Sequence, residues 1–335
     1  MEDLISSISS IIVDYADGEF GRLDEAHVRR WIEQFDEVDR EIVLAETNRI
    51  LKRTYITKEE FSKFISSLIT SPKFSTENQA DFWSNVSLCD VQLNGKSQTE
   101  LVSLVREHVQ NNYGFQPKVN SQSEHYIYLD DFLFSGNRLV SDLRQWIINV
   151  APQNCHMSVV LMGWYQSGIW YVQRELPKLA EAHGKKITFK YWSIEAFRLE
   201  NRLSYKDTSH VFWPEEAVME IPEAREYIAG QKREPTFRVK NDLKNKVFSI
   251  ERRTQYELAI TKAGLKILGY CQSPNEVVKP LGYNRFDGFG FGSTVFSFRN
   301  CPNNNPLAFW WGDPNYPSTH PFGKWYPLLQ RKTYG

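Results

Sequence analysis

Residues 86–194 alternate between short apolar runs and longer amphipathic stretches, and this alternation constrains the fold more than any other feature of the sequence. The apolar runs have the length and composition of buried strands, and the stretches between them repeat apolar residues at helical spacing. The runs are VSLCDVQL (86–93), HYIYLDD (125–131), MSVVLMGWY (157–165) and KITFKYWSI (186–194). Strands that alternate with crossover helices form a mostly parallel sheet. The sequence therefore predicts an α/β core.

Three helices are predicted between these strands. Their sequences are TELVSLVREHVQNNY (99–113), NRLVSDLRQWIINV (137–150) and IWYVQRELPKLAEAHG (169–184). In the second helix, the side chains predicted to face inward are Leu139, Leu143, Ile147 and Ile148. Pro177 is predicted to interrupt or kink the third helix, and Gly184 to end it.

The segments on either side of this core differ from it in character. Residues 1–75 contain amphipathic stretches, the first of which Asp24 can cap, and they predict a helical or winged-helix lobe. Basic and acidic residues are mixed there, so a packing or interaction module is the plainer interpretation and a DNA-reading winged helix is the alternative. Residues 211–335 combine acidic and basic segments, a helix with a break at Gly264, and short β runs among Gly, Asn, Pro and aromatic residues. We therefore predict domains over 1–75, 76–210 and 211–335, the last an α+β hood.

The composition excludes several classes of protein. The formal net charge of −1 argues against a general electrostatic binder of nucleic acid. The four cysteines are far apart and show no zinc-binding spacing, which predicts free thiols in a reducing compartment. The N-terminus carries acids where a signal peptide needs bases, and no window approaches the roughly 20 apolar residues of a membrane span. We expect a cytoplasmic protein that is not inserted in a membrane.

The stretch YIYLDDFLFSGNRL (126–139) carries the main chemical signal. Asp130 and Asp131 follow an apolar run, and ligands of open parallel sheets bind beyond the carboxyl ends of the strands. The turn Ser135–Arg138 then opens a helix, where Gly136 allows close backbone approach and free N–H groups favour an anion. Paired carboxylates beside an anion cradle suit a ribose 5-phosphate. The alternative is an ordinary strand, turn and helix cap.

This stretch resembles the phosphoribosyl-diphosphate-binding motif of type I phosphoribosyltransferases. The resemblance implies that Asp130 and Asp131 hold the ribose hydroxyls, and that Ser135, Gly136, Asn137 and Arg138 hold the 5-phosphate. Two positions depart from the motif. Phe134 stands where many members carry an acidic or small polar residue tied to catalysis, which puts base transfer in doubt. Arg138 stands where a hydroxyl residue is usual, and it still suits a phosphate.

A second constellation lies in LNGKSQTELV (93–102), at the end of the first strand. A phosphoribosyltransferase places its diphosphate loop there, and Gly95, Lys96, Ser97 and Gln98 would supply a cation, a hydroxyl and backbone donors. The assignment is positional, without a sequence match. The alternative is the P-loop of an NTPase, but that motif needs a glycine where this chain has Asp90, whose carboxylate would repel phosphates.

The C-terminal textures PLGY and NCPNNNPLAFWW resemble phosphoribosyltransferase-like proteins of bacterial conflict, or anti-phage, systems. That resemblance covers most of the chain and includes a winged-helix-like N-terminal region. It implies a role in phage defence and, for some relatives, association with a retron reverse transcriptase, its RNA or DNA, and a winged-helix protein. Turns between aromatic-rich strands are the plainer interpretation of the tail; in the alternative, it forms a hood whose polar side chains (Arg299, Asn300, Asn303 and Asn304) face a ligand.

Two functions follow from these resemblances. In the first, the protein acts on phosphoribosyl diphosphate or a nucleotide at the ribose anomeric carbon. Mg²⁺ would then arrive with the substrate, held mainly by its oxygens with Asp130 or Asp131 assisting. In the second, the protein is a non-catalytic nucleotide-sensing or scaffold subunit that binds a reverse transcriptase and its nucleic acid. The oligomeric state is left open.

Overall fold

The computed structural model describes residues 1–93 and 97–331, and at Ser97 the backbone alone. The α-helices are α1 (Glu2–Ile11), α2 (Glu25–Ile32), α3 (Glu37–Thr54), α4 (Lys58–Ile69), α5 (Gln79–Asn85), α6 (Ser97–Tyr113), α7 (Asn137–Asn149), α8 (Gln166–Ala182), α9 (Pro222–Ala229), α10 (Arg253–Leu268) and α11 (Leu307–Trp310). The strands are β1 (Tyr55–Ile56), β2 (Ser87–Cys89), β3 (Lys118–Val119), β4 (His125–Leu133), β5 (Asn154–Tyr165), β6 (Lys186–Ser193), β7 (Arg198–Leu199) and β8 (Phe296–Ser297).

A parallel sheet of six strands forms the middle of the chain. The strand order is β3-β2-β4-β5-β6, and β7 pairs with the end of β5. The long pairings centre on β5, which lies beside β4 from His156 to Trp164 and beside β6 from Asn154 to Leu161. The predicted α/β core with parallel strands is confirmed.

The hydrophobic core of this sheet lies between its strands and two crossover helices. Alternate residues of β4 and β5 face α7 and α8, because side chains of a strand alternate between its two faces. The shared cluster includes Tyr126, Met157, Val159, Leu143 and Val172. Their burial positions the two helices and therefore the turns that lead into them.

Three details differ from the sequence predictions. Helix α8 runs through Pro177 and is not interrupted there, and the chain leaves it at Gly184 with φ +65° as predicted. Helix α10 runs through Gly264, where a Cβ would lie 2.4 Å from the carbonyl oxygen of Pro280. That glycine therefore serves close packing and does not break the helix. Ile148 is 37% exposed, and Trp146 occupies the buried face of α7 instead.

The contacts of the chain group it into two compact units. One holds residues 59–200 and contains the parallel sheet; the other holds residues 1–58 together with the described residues from 201 onward. The predicted division at 75 and 210 into three domains differs from this grouping. Helices α1, α2 and α3 form one unit with the C-terminal region, and α4 and α5 belong with the sheet.

Hydrogen bonds between the two ends of the chain explain the first of these groupings. The indole nitrogen of Trp31 donates to the carbonyl oxygen of Ala308 at 2.8 Å. The imidazole of His27 lies 2.8 Å from the Tyr326 hydroxyl and 2.7 Å from the Leu328 carbonyl oxygen. Asp24 caps α2 by accepting from the His27 backbone N–H, which confirms the predicted cap.

The structure also bears on the predictions made for the cysteines and for membrane spans. The four cysteines, Cys89, Cys155, Cys271 and Cys301, are free thiols. Among the helices in the described ranges, none combines the length and the apolarity that crossing a bilayer requires.

Candidate functional site

Strand β4 extends beyond its neighbour β2, and this extension carries the two aspartates. The last residue pair between the strands joins Cys89 to Tyr128, whereas β4 continues beside β5 until Leu133 pairs with Trp164. Asp130 and Asp131 therefore lie within the strand, not after its end as the sequence suggested. They are nonetheless beyond the carboxyl end of β2, which is where open parallel sheets bind ligands.

Beyond the end of β2, the side chain of Gln98 lies beside β4. Its side-chain amide donates to the carbonyl oxygen of Leu129 at 3.0 Å. Its side-chain oxygen accepts from the backbone N–H groups of Val91 at 2.6 Å and Gln92 at 2.8 Å. The residue is fully buried. We predicted that Gln98 faces a ligand; the structure instead commits its side chain to the backbone, because those buried groups need partners.

Asp130 and Asp131 are adjacent on the extended strand, and the charge of Asp131 acts on Asp130. Both residues are half-buried, and the backbone N–H of Asp131 donates to the Asp130 carboxylate at 2.9 Å. Burial, and then the negative charge of Asp131, raise the pKa of Asp130 to about 6, against the opposing effect of the positive charge of Arg138. A carboxyl group whose pKa is raised by burial and a neighbouring charge is typical of functional sites.

Asp142 belongs to the same cluster, although the sequence analysis did not identify it. It is buried on the inner face of α7, where it accepts from the backbone N–H of Leu93 at 3.2 Å and from the Tyr128 hydroxyl at 3.1 Å. Burial raises its pKa. The signal in the sequence is an aspartate three residues after Leu139, which is an inward position on a predicted amphipathic helix.

The turn between β4 and α7 is packed tightly against α8. Gly136 has φ +81°, and a Cβ there would lie 2.7 Å from a methyl carbon of Val172. At Gly168 a Cβ would lie 2.0 Å from the carbonyl oxygen of Phe134. Ser135, whose hydroxyl lies 3.5 Å from the next helix's first backbone nitrogen, is exposed. Helix α8 therefore packs against one side of the turn, and the other side of the turn is exposed to solvent.

The N-terminus of α7 is suited to an anion. Gly136 is its N-cap residue and provides no side-chain hydrogen bond to the first turn. Asn137 and Arg138, which open the helix, are exposed. Backbone N–H groups at a helix start, the positive end of the helix dipole and a guanidinium are the features by which proteins bind phosphate. The predicted residues Ser135, Gly136, Asn137 and Arg138 thus form one turn.

Phe134, the position that departs from the family motif, contributes to an aromatic cluster. Its ring centre lies 5.2 Å from that of Phe132 and 6.0 Å from that of Tyr165. The residue is half-buried. An aromatic side chain held between two others adds packing to the turn, and it supplies no group that can transfer a proton.

A cation–π pair lies at the same edge of the sheet, at the ends of β5 and β7. The guanidinium of Arg198 is 4.8 Å from the ring centre of Trp164, and its Nε donates to the Ser193 hydroxyl at 3.0 Å. Trp164 is buried, and its indole nitrogen has no hydrogen-bond partner among residues 1–93 and 97–331. No local pattern in the sequence predicts this pair, because its members become neighbours only through strand pairing.

The second predicted constellation is described in part. Gly95 and Lys96 lie outside the described residues, and Ser97 begins α6 with an undescribed side chain. The assignment of a diphosphate loop therefore stays a prediction. Asp90, the residue that argued against a P-loop, accepts a hydrogen bond from the Thr99 hydroxyl at 3.1 Å.

The donors at this edge fit a metal ion that a substrate carries. Among residues 1–93 and 97–331, His, Cys, Asp and Glu form no group of three or more that would hold a metal ion. Asp130 and Asp131 supply hard oxygen donors, which suit Mg²⁺ when phosphates and water complete its coordination. A dedicated site built by the protein would need more ligands.

In the other unit, the polar residues that we predicted to face a ligand are half-buried. The backbone carbonyl of Asn303 accepts from the N–H of Tyr283, and the side-chain amide of Asn304 donates to the Tyr283 carbonyl oxygen. Arg29, a basic residue of the N-terminal segment, pairs with Glu2. The ligand-facing hood and the DNA-reading lobe both stay predictions.

Comparison with known proteins identifies the family of this chain. A search of curated proteins found no match to the chain. The family model PRTase-CE, by contrast, matches residues 28–331, which is most of the sequence and includes both units of the fold. The parallel sheet and the β4–α7 turn agree with a phosphoribosyltransferase-like core. The chain belongs to the PRTase-CE family and is a phosphoribosyltransferase-like protein.

Proposed function

We propose that this protein binds the ribose 5-phosphate portion of phosphoribosyl diphosphate or of a nucleotide. The observation that carries the proposal is the placement of Asp130 and Asp131 on the extension of β4, directly before the turn that opens α7. The carboxylates accept hydrogen bonds from the ribose hydroxyls. The turn from Ser135 to Arg138 binds the 5-phosphate through backbone N–H groups, a hydroxyl and a guanidinium.

In the catalytic form of the proposal, the reaction takes place at the anomeric carbon of the ribose. The bond from that carbon to the leaving group breaks while a bond to an acceptor, or to water, forms through a cation-like transition state. Asp130 and Asp131 orient the ring and place negative charge near the cationic centre, and such electrostatic stabilisation is a large part of catalysis. Mg²⁺ bound with the substrate would neutralise the diphosphate that leaves, and the predicted segment 95–98 would face that diphosphate.

A second function is favoured by a specific observation. Phe134 packs against Phe132 and Tyr165 at the position where many phosphoribosyltransferases carry a residue tied to catalysis. A site that retains its ribose and phosphate contacts without that residue suits a nucleotide-sensing or scaffold subunit. In an anti-phage system such a subunit would bind a retron reverse transcriptase and its nucleic acid, with ligand binding as the signal.

One experiment separates these functions. The purified protein, with and without its genomic partners, is incubated with phosphoribosyl diphosphate, a nucleotide pool and Mg²⁺, and the products are measured by mass spectrometry. The same mixtures are used for thermal melting. Turnover supports the enzyme, and a raised melting temperature without turnover supports the sensor. If neither products nor a change in melting temperature is observed, the proposed site is wrong.

The matched variants make this experiment specific. Asp130→Asn combined with Asp131→Asn should abolish both responses, because amides bind ribose hydroxyls and Mg²⁺ more weakly than carboxylates do. Glu107→Gln, which removes a carboxylate from the exposed face of α6, is the control and should leave both unchanged. Equal responses in the double variant and the control would contradict the assignment of the two aspartates.

A further inference from the structure

Asp142 is a buried acid on an otherwise apolar helix face, and its presence there needs an explanation. Its neighbours on that face include Leu139, Leu143 and Trp146, and only 2% of Asp142 is exposed. Burial of a carboxylate is costly unless its oxygens accept hydrogen bonds. Both oxygens do so, one from the backbone N–H of Leu93 and the other from the Tyr128 hydroxyl.

These two hydrogen bonds connect three elements beside the ribose site. Tyr128 precedes Asp130 by two residues on β4, so their side chains lie on the same face of the strand. Leu93 ends the described segment that follows β2. Asp142 therefore fastens this segment and the strand to α7, whose first turn is the proposed phosphate cradle.

Gln98 binds the same segment directly before Leu93. Its side chain joins Val91 and Gln92 to the carbonyl oxygen of Leu129, the residue that precedes Asp130. The backbone beside Asp130 is consequently held at two points by buried side chains, at the place where β2 has ended. The hydroxyl of Tyr128 stays protonated there, because burial and the charges of Asp130 and Asp142 raise its pKa.

The hydrogen bonds at this position do not require a charge. An asparagine would also accept from the Leu93 N–H and contact the Tyr128 hydroxyl, whereas an alanine would remove both interactions.

We propose that Asp142 is a positioning residue of the ribose site, because its hydrogen bonds anchor Tyr128 and the Leu93 backbone beside Asp130. The inference rests on the proposed function insofar as it assigns Asp130 to the ribose. It does not require that the ligand be turned over.

The test compares Asp142→Ala with Asp142→Asn, which keeps hydrogen-bonding groups at that position, and Tyr128→Phe with a matched control, Tyr126→Phe. Tyr126 lies on the same strand face two residues earlier, and its hydroxyl accepts from the Ser123 N–H at 3.0 Å, away from Asp142. The first measurement is amide hydrogen exchange by NMR in the ligand-free protein. Asp142→Ala should speed exchange of the Leu93 N–H, because that group loses its acceptor, and Tyr126→Phe should leave it unchanged.

The second measurement is the affinity for phosphoribosyl diphosphate with Mg²⁺ near pH 7.5. Asp142→Ala and Tyr128→Phe should each weaken binding by about three- to tenfold, the effect of losing one positioning hydrogen bond. Asp142→Asn and Tyr126→Phe should bind as the wild type does. Because an unfolded variant would also lose binding, the midpoint of urea unfolding is measured for all four.

The outcomes separate this inference from the proposed function. If the wild-type protein does not bind phosphoribosyl diphosphate, the proposed function fails, and hydrogen exchange still judges whether Asp142 anchors the Leu93 backbone. If exchange of the Leu93 N–H is identical in the wild type and Asp142→Ala, the inference is overturned. It is equally overturned if Tyr126→Phe weakens binding as much as Tyr128→Phe does.

Discussion

Asp130 is held in surroundings that favour its neutral form, although the proposed contact with ribose uses its charged form. The pKa of about 6 results from burial and from the charge of Asp131, so part of the population carries a proton near neutral pH. An ionised carboxylate in surroundings that favour its neutral form lowers the free energy of unfolding. Such a cost is expected where selection favours binding over stability.

The first prediction concerns stability and pH. The folded-state pKa of Asp130 lies above its usual value of 3.8, so the folded state holds the proton more tightly than the unfolded state. The stabilisation from this proton is complete below about pH 4 and is lost as the pH rises through about 6. Asp130→Asn should therefore raise the free energy of unfolding near pH 7.5 by about 1–3 kcal/mol and have little effect below about pH 4.

Urea unfolding at a series of pH values measures this difference. Glu107→Gln, on the exposed face of α6, should show no such pH-dependent gain. A loss of stability in Asp130→Asn near pH 7.5 would show that the carboxylate is stabilised by its surroundings, contrary to this account.

The second prediction follows from the same carboxyl group. Because a charged Asp130 accepts the ribose hydroxyl, binding near pH 6 should release up to about half a proton from this group to the buffer, and binding near pH 8 almost none. Calorimetry in two buffers with different ionisation enthalpies measures the number of protons released. Asp130→Asn should abolish the release; proton release that persists in this variant would come from another group.

At the scale of elements, the β4–α7 turn depends on the helix behind it. Gly136 and Gly184 both have a left-handed backbone, with φ +81° and φ +65°. A Cβ at Gly136 would meet Val172 at 2.7 Å and the Gly168 carbonyl oxygen at 2.9 Å, whereas a Cβ at Gly184 meets nothing within 4 Å. Alanine substitutions at the two glycines therefore separate the cost of a left-handed backbone from the cost of overpacking.

The third prediction uses this pair. Gly184→Ala should lower the free energy of unfolding by about 1 kcal/mol, the cost of a left-handed alanine. Gly136→Ala should lower it by about 2–4 kcal/mol, since overpacking adds to that cost, and should also weaken binding of the phosphate. Urea unfolding and ligand titration measure both effects. Equal losses in the two variants would mean that α8 does not support the turn.

The sequence predicted the elements around the site better than it predicted the contacts between them. Periodicity identified α7, β4 and the turn at Gly136, because these are local patterns. It assigned Gln98 to a ligand and overlooked Asp142, because the roles of both depend on β2 ending at Cys89 while β4 continues. Where one strand stops relative to its neighbour is a property of pairing, which no local pattern contains.

At the scale of the whole molecule, the two ends of the chain form one unit. Trp31 is fully buried, donates to the Ala308 carbonyl oxygen, and stacks on Phe309 with ring centres 5.8 Å apart. From the sequence, these ends were expected to form separate domains at 1–75 and 211–335. Helical periodicity predicts the apolar faces of the first segment. It does not predict which residues pack on those faces, because they lie almost three hundred positions away.

The fourth prediction tests this grouping. Trp31→Phe removes the indole donor and part of a buried ring system, so it should lower the free energy of unfolding of that unit by about 1–3 kcal/mol. Hydrogen exchange measured by mass spectrometry should show faster exchange in α2 and around residues 301–310. Peptides from β4 and β5 should be unchanged; faster exchange confined to α2 would argue that the ends do not form one unit.

The central claim is that Asp130 and Asp131 hold the ribose of a phosphoribosyl ligand, and direct binding tests it most simply. Calorimetric titration with phosphoribosyl diphosphate and Mg²⁺ near pH 7.5 should show saturable binding to the wild type and to Glu107→Gln. Asp130→Asn with Asp131→Asn should bind at least about a hundredfold more weakly, the loss expected for two charge-assisted hydrogen bonds. Undiminished binding in the folded double variant would contradict the claim.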